Sequence, residues 1–241
     1  MIRSLLFNIT FWIWTAIMVV MTLPQLLRSR LAMVRHAERW ERGILWLLRH
    51  IIRLDREIRG RERIPEGPKI FAIKHQSAWD TVTTHLLIDD PAIALKQELT
   101  QIPIFGWGLR HAGMITIDRG HGTRALRSLI DGGRKAAARG SPVVIFPEGT
   151  RTPPGEKNPY HPGIAALYKS LALPVVPVAL NSGLFWGRRS FIKHPGTVVV
   201  EFLDSIEPGL ERKPFMAELE QRIEQATARL IAEAEGKTSI T

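Results

Sequence analysis

The strongest constraint on the fold is an uncharged stretch near the N-terminus, residues 5–27. As a helix rising about 1.5 Å per residue it would extend about 34 Å, enough to cross a hydrocarbon core of about 30 Å. A cleaved signal peptide, a transmembrane anchor and a segment that enters the bilayer and turns back are the alternatives. Residues 21–24 are too bulky for a signal cleavage site, so we expect a retained, membrane-embedded helical segment.

Basic residues follow this stretch directly, whereas Arg3 alone precedes it: Arg28, Arg30, Arg35, Arg39 and Arg42. The positive-inside bias predicts a location in the inner, cytoplasmic membrane with the rest of the chain facing the cytoplasm. Residues 31–54 are predicted to form an amphipathic basic helix that either lies in the headgroup plane or packs on the body. The predicted division is therefore a membrane-anchoring helical segment, residues 1–54, and one α/β domain, residues 55–241.

The composition limits which binding partners and which kinds of catalytic or metal site are possible. The net charge of +10 indicates an anionic partner, which can be nucleic acid, anionic lipid or a phosphorylated small molecule. No nucleic-acid motif is present, so we expect no nucleic-acid partner. The absence of cysteine excludes disulfides, thiolate metal sites and a cysteine nucleophile. The other histidines lack ligand spacing and are predicted to be surface or packing residues rather than metal ligands: His36, His50, His85, His111, His121, His161 and His194.

From Pro68 onward, apolar runs alternate with helical patterns, which predicts an α/β fold with a mixed central sheet flanked by helices. The predicted strands are residues 70–73, 92–95, 114–117, 143–146, 175–180 and 198–202, and the predicted helices are residues 79–87, 123–138, 162–171 and 214–235. Polar clusters directly follow the first four strands. Because ligand sites in α/β folds gather at the carboxyl ends of strands, four strand ends are expected to line one cleft.

The first cluster pairs His75 with Asp80. Five positions is the wrong spacing for one face of a helix, so His75 is placed in the loop before it. Ser77 and Asp80 also form a capping-box pattern, so the alternative role of Asp80 is simply to fix the start of a helix. Both roles are compatible if one carboxylate oxygen holds the Ser77 amide and the other receives Nδ1–H of His75. Since no serine elbow or cysteine exists, such a dyad would activate a substrate hydroxyl.

The second cluster, Glu148, Gly149, Thr150 and Arg151, follows a buried strand. The planar fork of Arg151 suits a phosphate, glycine lets backbone approach a ligand, and Lys96 adds a point charge from a neighbouring strand end. A surface turn with an incidental arginine is the structural alternative.

Together these blocks resemble, in order over residues 75–180, the 1-acylglycerol-3-phosphate acyltransferases of the glycerophospholipid acyltransferase family. The resemblance implies that His75 and Asp80 form the catalytic dyad. It also implies binding of the acceptor phosphate by Lys96 and Arg119, and of the acceptor by Glu148, Gly149, Thr150 and Arg151. A fourth block, residues 175–178, implies a donor site, or is just a buried strand. Where the family commonly has Asn or Ser this chain has Lys74, which we interpret as a variant that contacts acidic substrate.

The reaction implied by the resemblance is transfer of a fatty acyl group to the 2-hydroxyl of lysophosphatidic acid, which gives phosphatidic acid. The expected partners are a lysophospholipid acceptor, acyl-CoA or acyl carrier protein as co-substrate donor, and the membrane bilayer, with no cofactor. Three alternatives stay open: another acceptor such as a lyso-aminolipid, hydrolysis of a lipid ester by water activated at His75, and a non-catalytic basic membrane-binding module.

Overall fold

The computed structural model describes residues 1–118, 120 and 122–236. Within them the strands are β1 (Leu54–Arg59), β2 (Ile70–Ile73), β3 (Ala92–Lys96), β4 (Ile115–Ile117), β5 (Val143–Ile145), β6 (Val175–Leu180) and β7 (Gly196–Phe202). The helices are α1 (Ile2–Val20), α2 (Thr22–Gln25), α3 (Arg30–Leu47), α4 (Ala78–Thr81), α5 (Thr84–Leu87), α6 (Phe105–His111), α7 (Gly122–Ala138), α8 (Gly163–Leu171) and α9 (Arg212–Ala234). The six predicted strands and three of the four predicted helices agree within two residues at each end.

The strands of the described residues form one seven-stranded sheet in the order β1-β7-β6-β2-β5-β3-β4. Neighbours are parallel except β6 and β7, which are antiparallel, so β1 and β7 run opposite to the other five strands. The predicted mixed sheet is confirmed. The carboxyl ends of β6, β2, β5, β3 and β4 consequently meet at one edge of the sheet.

Successive residues of the central strands face opposite layers. In β2, Ile70 and Ala72 pack with side chains of α7, α8 and α9, whereas Phe71 and Ile73 pack with the N-terminal helices. All four β2 residues are buried, which explains why this strand is an unbroken apolar run instead of an alternating one. Helices therefore cover both faces of the central strands.

The two long N-terminal helices form an antiparallel hairpin, called here the α1–α3 hairpin. Nε1–H of Trp14 donates to the carbonyl of Trp40 at 3.0 Å, while nearer the turn the His36 ring lies 2.9 Å from the carbonyl of Met18. The apolar stripe of α3 packs on the body, since Ile44 and the following Leu48 are fully buried. Of the two alternatives left open for that stripe, packing on the body is the observed one.

The outer face of the hairpin is apolar and exposed. Among the described residues, one helical stretch, Ile2–Gln25, is long and apolar enough to cross a membrane, and 17% of its most apolar window is buried. Its exposed large side chains are Ile2, Leu5, Leu6, Ile9, Trp12, Ile13, Ile17, Val20, Met21 and Leu23. A face of this size must be covered by something other than water.

Polar contacts hold the hairpin on the body. The guanidinium of Arg30 at the start of α3 pairs with both oxygens of Asp90 at 2.5 and 2.6 Å. Glu41 is fully buried, and its carboxylate accepts from the Leu86 amide and lies 2.6 Å from Nδ1 of His85. His85 thus joins α5 to the hairpin through a buried polar contact.

Residues 79–87 were expected to form one helix but form the short helices α4 and α5. The break falls in a run of β-branched residues whose hydroxyls bond the preceding turn. Thr83 Oγ1 donates to the Trp79 carbonyl at 2.9 Å, and Thr84 Oγ1 donates to the Asp80 carbonyl at 2.8 Å. Such back-bonding bends and interrupts helices.

The amphipathic helix predicted over residues 31–54 also ends differently, because α3 ends at Leu47 and continues as a π-helical turn, Leu48–Ile52. Leu54, the last residue assigned to that helix, instead begins the strand β1, which was not predicted. Among the described residues that strand pairs with β7 alone, and it contains four charged residues, so its own pattern is too polar to indicate a strand.

Candidate active site

His75 and Asp80 meet at the carboxyl end of β2. His75 lies in the loop after the strand, and its Nδ1 is 3.0 Å from Oδ2 of Asp80. The capping box predicted at Ser77 and Asp80 is confirmed. One carboxylate oxygen was expected to hold the Ser77 amide and the other to receive His75. This prediction is wrong, because Oδ2, the oxygen that faces His75, also accepts the amides of Gln76 and Ser77 at 2.7 and 2.8 Å. The donors follow one another in a tight loop and converge on one oxygen.

The second oxygen of Asp80 has a partner that sequence reasoning missed. Oγ of Ser182, in the loop after β6, donates to Oδ1 at 2.5 Å. Both residues are buried. Since β6 pairs with β2, the sheet order brings a residue 102 positions away onto the dyad. This bond holds the carboxylate from the side opposite the loop.

The main chain and ring of His75 are also fixed. Its amide donates to Oε2 of Glu148 at 2.8 Å, and its carbonyl accepts the Thr152 amide at 2.8 Å. The ring lies against Phe146, with centroids 4.3 Å apart. The side chain is 12% exposed and lines a cleft. Among the described residues none hydrogen bonds to Nε2 of His75, which is therefore the nitrogen available to a substrate proton.

Lys74 and Glu148 hold the site without lining the cleft. Both are 1% exposed, and Nζ of Lys74 pairs with Glu148 at 2.8 Å and with Glu224 of α9 at 2.7 Å. The prediction that Lys74 contacts acidic substrate is wrong, and so is the predicted acceptor contact of Glu148. Two carboxylates and one ammonium in a dry interior must pair with each other. Burial and Glu224 also raise the pKa of the Tyr160 hydroxyl far above its ordinary value.

The cleft has a volume of about 600 Å³ and connects polar and apolar regions. Its polar mouth includes Lys96, Gly149, Thr150 and Arg151, four of the predicted binding residues. Gly149 has φ +64, and a Cβ there would lie 2.6 Å from the His161 ring, so only glycine fits this turn. The interior extends under the α1–α3 hairpin and is lined by Met18, Val19, Met33, Trp40, Val82, Ile93, Leu95, Leu109 and Met114, among others.

Two further arginines line the mouth, Arg188 and Arg189. The guanidinium of Arg188 donates to the Arg151 carbonyl at 3.3 Å. Burial lowers the pKa of Arg151, the Asp80 carboxylate raises it and the charge of Arg188 lowers it further. Sequence reasoning overlooked both arginines because the strand-end argument was not applied to β6, whose end lies on the same edge as that of β2.

The prediction also named residues at and after the end of β4. Arg119 and His121 lie outside the described residues, and Asp118 at the end of β4 does not line the cleft. Three of the four predicted strand ends therefore meet there, those of β2, β3 and β5, together with the unpredicted end of β6. Over residues 1–118, 120 and 122–236, no group of three or more His, Asp or Glu side chains is arranged to hold a metal ion.

Comparison with known proteins assigns the family. The family model described as Acyltransferase matches residues 55–181. A 1-acyl-sn-glycerol-3-phosphate acyltransferase of Pseudomonas aeruginosa is 37% identical over 196 residues, 81% of this chain and 76% of that protein. One from Helicobacter pylori is 30% identical over 66% of this chain and 68% of its own length.

A solved structure shares the fold. The crystal structure of the 1-acyl-sn-glycerophosphate acyltransferase of Thermotoga maritima matches with a TM-score of 0.77 at 21% identity, covering 99% of this chain and 98% of that one. The extent of the family match and the identity to the Pseudomonas protein show that the chain belongs to the acyltransferase family.

Proposed function

We propose that the protein transfers a fatty acyl group from an acyl thioester to the 2-hydroxyl of lysophosphatidic acid, giving phosphatidic acid. The observation that carries the proposal is that His75 lines one cleft together with cationic side chains, Lys96 and Arg151 among them, and with the apolar side chains under the hairpin. An acceptor with a phosphate, a hydroxyl and an acyl chain needs these three environments side by side. Both bacterial relatives are named for this acceptor.

In the proposed mechanism Nε2 of His75 takes the proton of the acceptor hydroxyl as its oxygen attacks the thioester carbonyl. The carbon–sulfur bond then breaks, and the imidazolium returns the proton to the leaving thiolate. Asp80 holds the ring through Nδ1 and stabilises its charged form. No enzyme nucleophile and no cofactor take part, and the donor, acyl-CoA or acyl carrier protein, is a co-substrate.

Substrate positioning follows from charge. The forked guanidinium of Arg151 and the ammonium of Lys96 are the proposed phosphate ligands. Arg188 and Arg189 add positive charge at the same mouth. The buried Glu148 acts through His75, whose amide it holds. This cluster of cations favours a phosphorylated acceptor over a lyso-aminolipid.

The α1–α3 hairpin is proposed to lie in one leaflet of the cytoplasmic membrane, with the body on the cytoplasmic side. Near the start of α1, Oγ of Ser4 accepts the Lys193 amide at 3.0 Å. Beyond its other end, the carbonyl of Arg28 lies 2.9 Å from Nε2 of His111 on α6. A helix that crossed the bilayer would separate these ends by about 30 Å of hydrocarbon. Contacts with the body at both ends support a hairpin embedded in one leaflet.

The test compares wild type, His75→Ala and His194→Ala in detergent micelles, each given labelled acyl thioester with and without lysophosphatidic acid. His194 is an exposed histidine outside the cleft and serves as the matched control. We expect phosphatidic acid from wild type and His194→Ala, and a rate about 10²- to 10⁴-fold lower from His75→Ala, the usual contribution of a general base.

Each other product pattern identifies a different activity. Free fatty acid without phosphatidic acid would indicate hydrolysis, and product only with a lyso-aminolipid would change the acceptor. Near-normal transfer by His75→Ala would remove His75 as the base.

A further inference from the structure

The loop at residues 187–193, between β6 and β7, exposes two large apolar side chains. Phe191 is 51% exposed and Ile192 is 39% exposed. Arg188 and Arg189 just before them are also exposed. Neither apolar side chain lines the cleft, so the proposed reaction gives them no role. We call this segment the aromatic-basic loop.

The aromatic-basic loop is built around the buried ammonium of Lys193, which is 7% exposed. Nζ donates to the carbonyls of Ser190 and Phe191 at 3.2 and 3.0 Å, and to Oδ1 of Asn8 on α1 at 2.9 Å. Burial lowers the pKa of Lys193, and the three acceptors satisfy its three donors. The Ser190 hydroxyl also donates to the Ile192 carbonyl at 2.8 Å.

These bonds mean that the exposure of Phe191 and Ile192 does not come from a loosely packed segment. The main chain of the loop is fixed by side chains on both sides of its tip, and it presents the two apolar groups outward. Holding them in water forgoes the favourable free energy that burying them would return. A rigid apolar tip of this kind fits a surface that covers it.

The loop continues the exposed apolar face of α1. Nδ2 of Asn8 donates to the Phe191 carbonyl at 3.1 Å, and the Ser4 hydroxyl bonds the main chain at Lys193. One turn to either side on α1, Leu5 is 51% and Trp12 is 66% exposed. The tip and the first half of α1 therefore form adjoining parts of one molecular surface.

We infer that the aromatic-basic loop is a second membrane-contact element: Phe191 and Ile192 enter the bilayer beside α1, and Arg188 and Arg189 bind anionic lipid headgroups. The inference rests on the membrane location in the proposed function. An aromatic and an aliphatic group next to two arginines is the composition that partitions to a negatively charged interface. A second copy of this chain, with net charge +10, would place like charges against the two arginines.

The consequence is an orientation for the cleft. Because Arg188 and Arg189 also line its mouth, seating the loop in the headgroup plane sets that mouth at the lipid surface. An acceptor can then move from the bilayer to His75 without passing through water.

Single-cysteine labelling tests the contact directly, since the chain has no cysteine. Ile192→Cys and Leu210→Cys would each be labelled with an environment-sensitive fluorophore. Both native side chains are 39% exposed, but Leu210 lies in the loop before α9. Vesicles of phosphatidylcholine alone, or mixed with equal phosphatidylglycerol, are then added. We expect a blue shift at position 192 that is larger with phosphatidylglycerol, and none at position 210.

A second pair of variants measures how much Phe191 and Ile192 contribute to membrane binding. Phe191→Ser/Ile192→Ser should bind the mixed vesicles roughly tenfold more weakly in co-sedimentation, because two partly exposed apolar groups are lost. Leu210→Ser should bind like wild type. In detergent micelles with dispersed substrates, both variants should transfer acyl groups within about twofold of wild type, which separates membrane docking from misfolding.

Different failures have different meanings. In one case wild type co-sediments with the vesicles while the fluorescence of the label at position 192 shows no blue shift. That result would overturn the loop contact and leave α1 as the membrane element. A shift that appears on concentrating the protein without vesicles would replace the bilayer by a second copy. Wild type that does not co-sediment would overturn the loop contact together with the proposed membrane location, while acyl transfer in micelles would still stand.

Discussion

At the scale of single residues, Ser182 is the side chain whose effect on the dyad is easiest to isolate. It donates to Oδ1 of Asp80, whereas the other oxygen faces His75 and two amides. Ser182→Ala removes a buried hydrogen bond to a charged group, worth about 1.5–3 kcal/mol, without a large change of shape. We expect kcat to fall at least about tenfold with an unchanged KM for the acceptor, because Ser182 positions Asp80 and does not line the cleft.

Two companion variants separate positioning from stability. Ser182→Thr retains the hydroxyl and should recover part of kcat, while Ser205→Ala removes a surface hydroxyl that bonds Glu207 and should change nothing. Steady-state kinetics and Tm would be measured on all three. A positioning role would be contradicted if Ser182→Ala had a Tm so low that unfolding explained its lost rate. It would also be contradicted if Ser182→Thr recovered none of the lost kcat.

At the scale of secondary-structure elements, Gly43 sets the approach of α1 to α3. A Cβ at Gly43 would lie 2.3 Å from the Trp14 ring, and that ring is fixed by its bond to the Trp40 carbonyl. Gly→Ala in a helix normally stabilises by up to about 1 kcal/mol. Here we expect Gly43→Ala to lower the free energy of unfolding by about 1–3 kcal/mol through overpacking.

The matched control is Gly122→Ala, at the start of α7, where an added Cβ meets no atom of the described residues within 4 Å. It should leave the unfolding free energy unchanged or raise it by up to about 1 kcal/mol. Denaturant unfolding in detergent, followed by tryptophan fluorescence, gives both values. An equal, positive effect of the two substitutions would show that α1 and α3 are not in close contact in solution.

At the scale of the whole molecule, the predicted boundary between residues 54 and 55 separates two segments of the chain that we do not expect to fold independently. Phe7 and Ile44 of the hairpin belong to one buried cluster with Phe71 and Val178 of the sheet. Deleting residues 1–53 would expose that layer of the core to water. We therefore expect residues 54–241 alone to be insoluble or aggregated, whereas the full chain unfolds cooperatively in detergent.

Size-exclusion chromatography and thermal unfolding of the truncated protein would check this. A monomeric, cooperatively unfolding body with retained micellar activity would contradict it and show that the hairpin only anchors the enzyme.

Local sequence patterns predicted most of the sheet. Strands β2 and β6 are unbroken apolar runs because both of their faces are buried, so no partner needs to be known to recognise them. Strand β1 was missed because its stability comes from pairing with β7, at the other end of the chain. The broken helix at residues 79–87 was missed because threonine hydroxyls there bond the main chain instead of solvent.

The sequence by itself determined the chemistry: the spacing of His75 and Asp80, the arginine after a buried strand and the apolar N-terminal helix are all local features. Only the tertiary structure decided the environment of each group. Lys74 and Glu148 are adjacent to site residues, yet Glu224, 150 positions after Lys74, joins them in a buried ionic cluster away from the cleft. Charges that are distant in sequence pair in the interior because burial leaves them no other partner, and no short motif records that requirement.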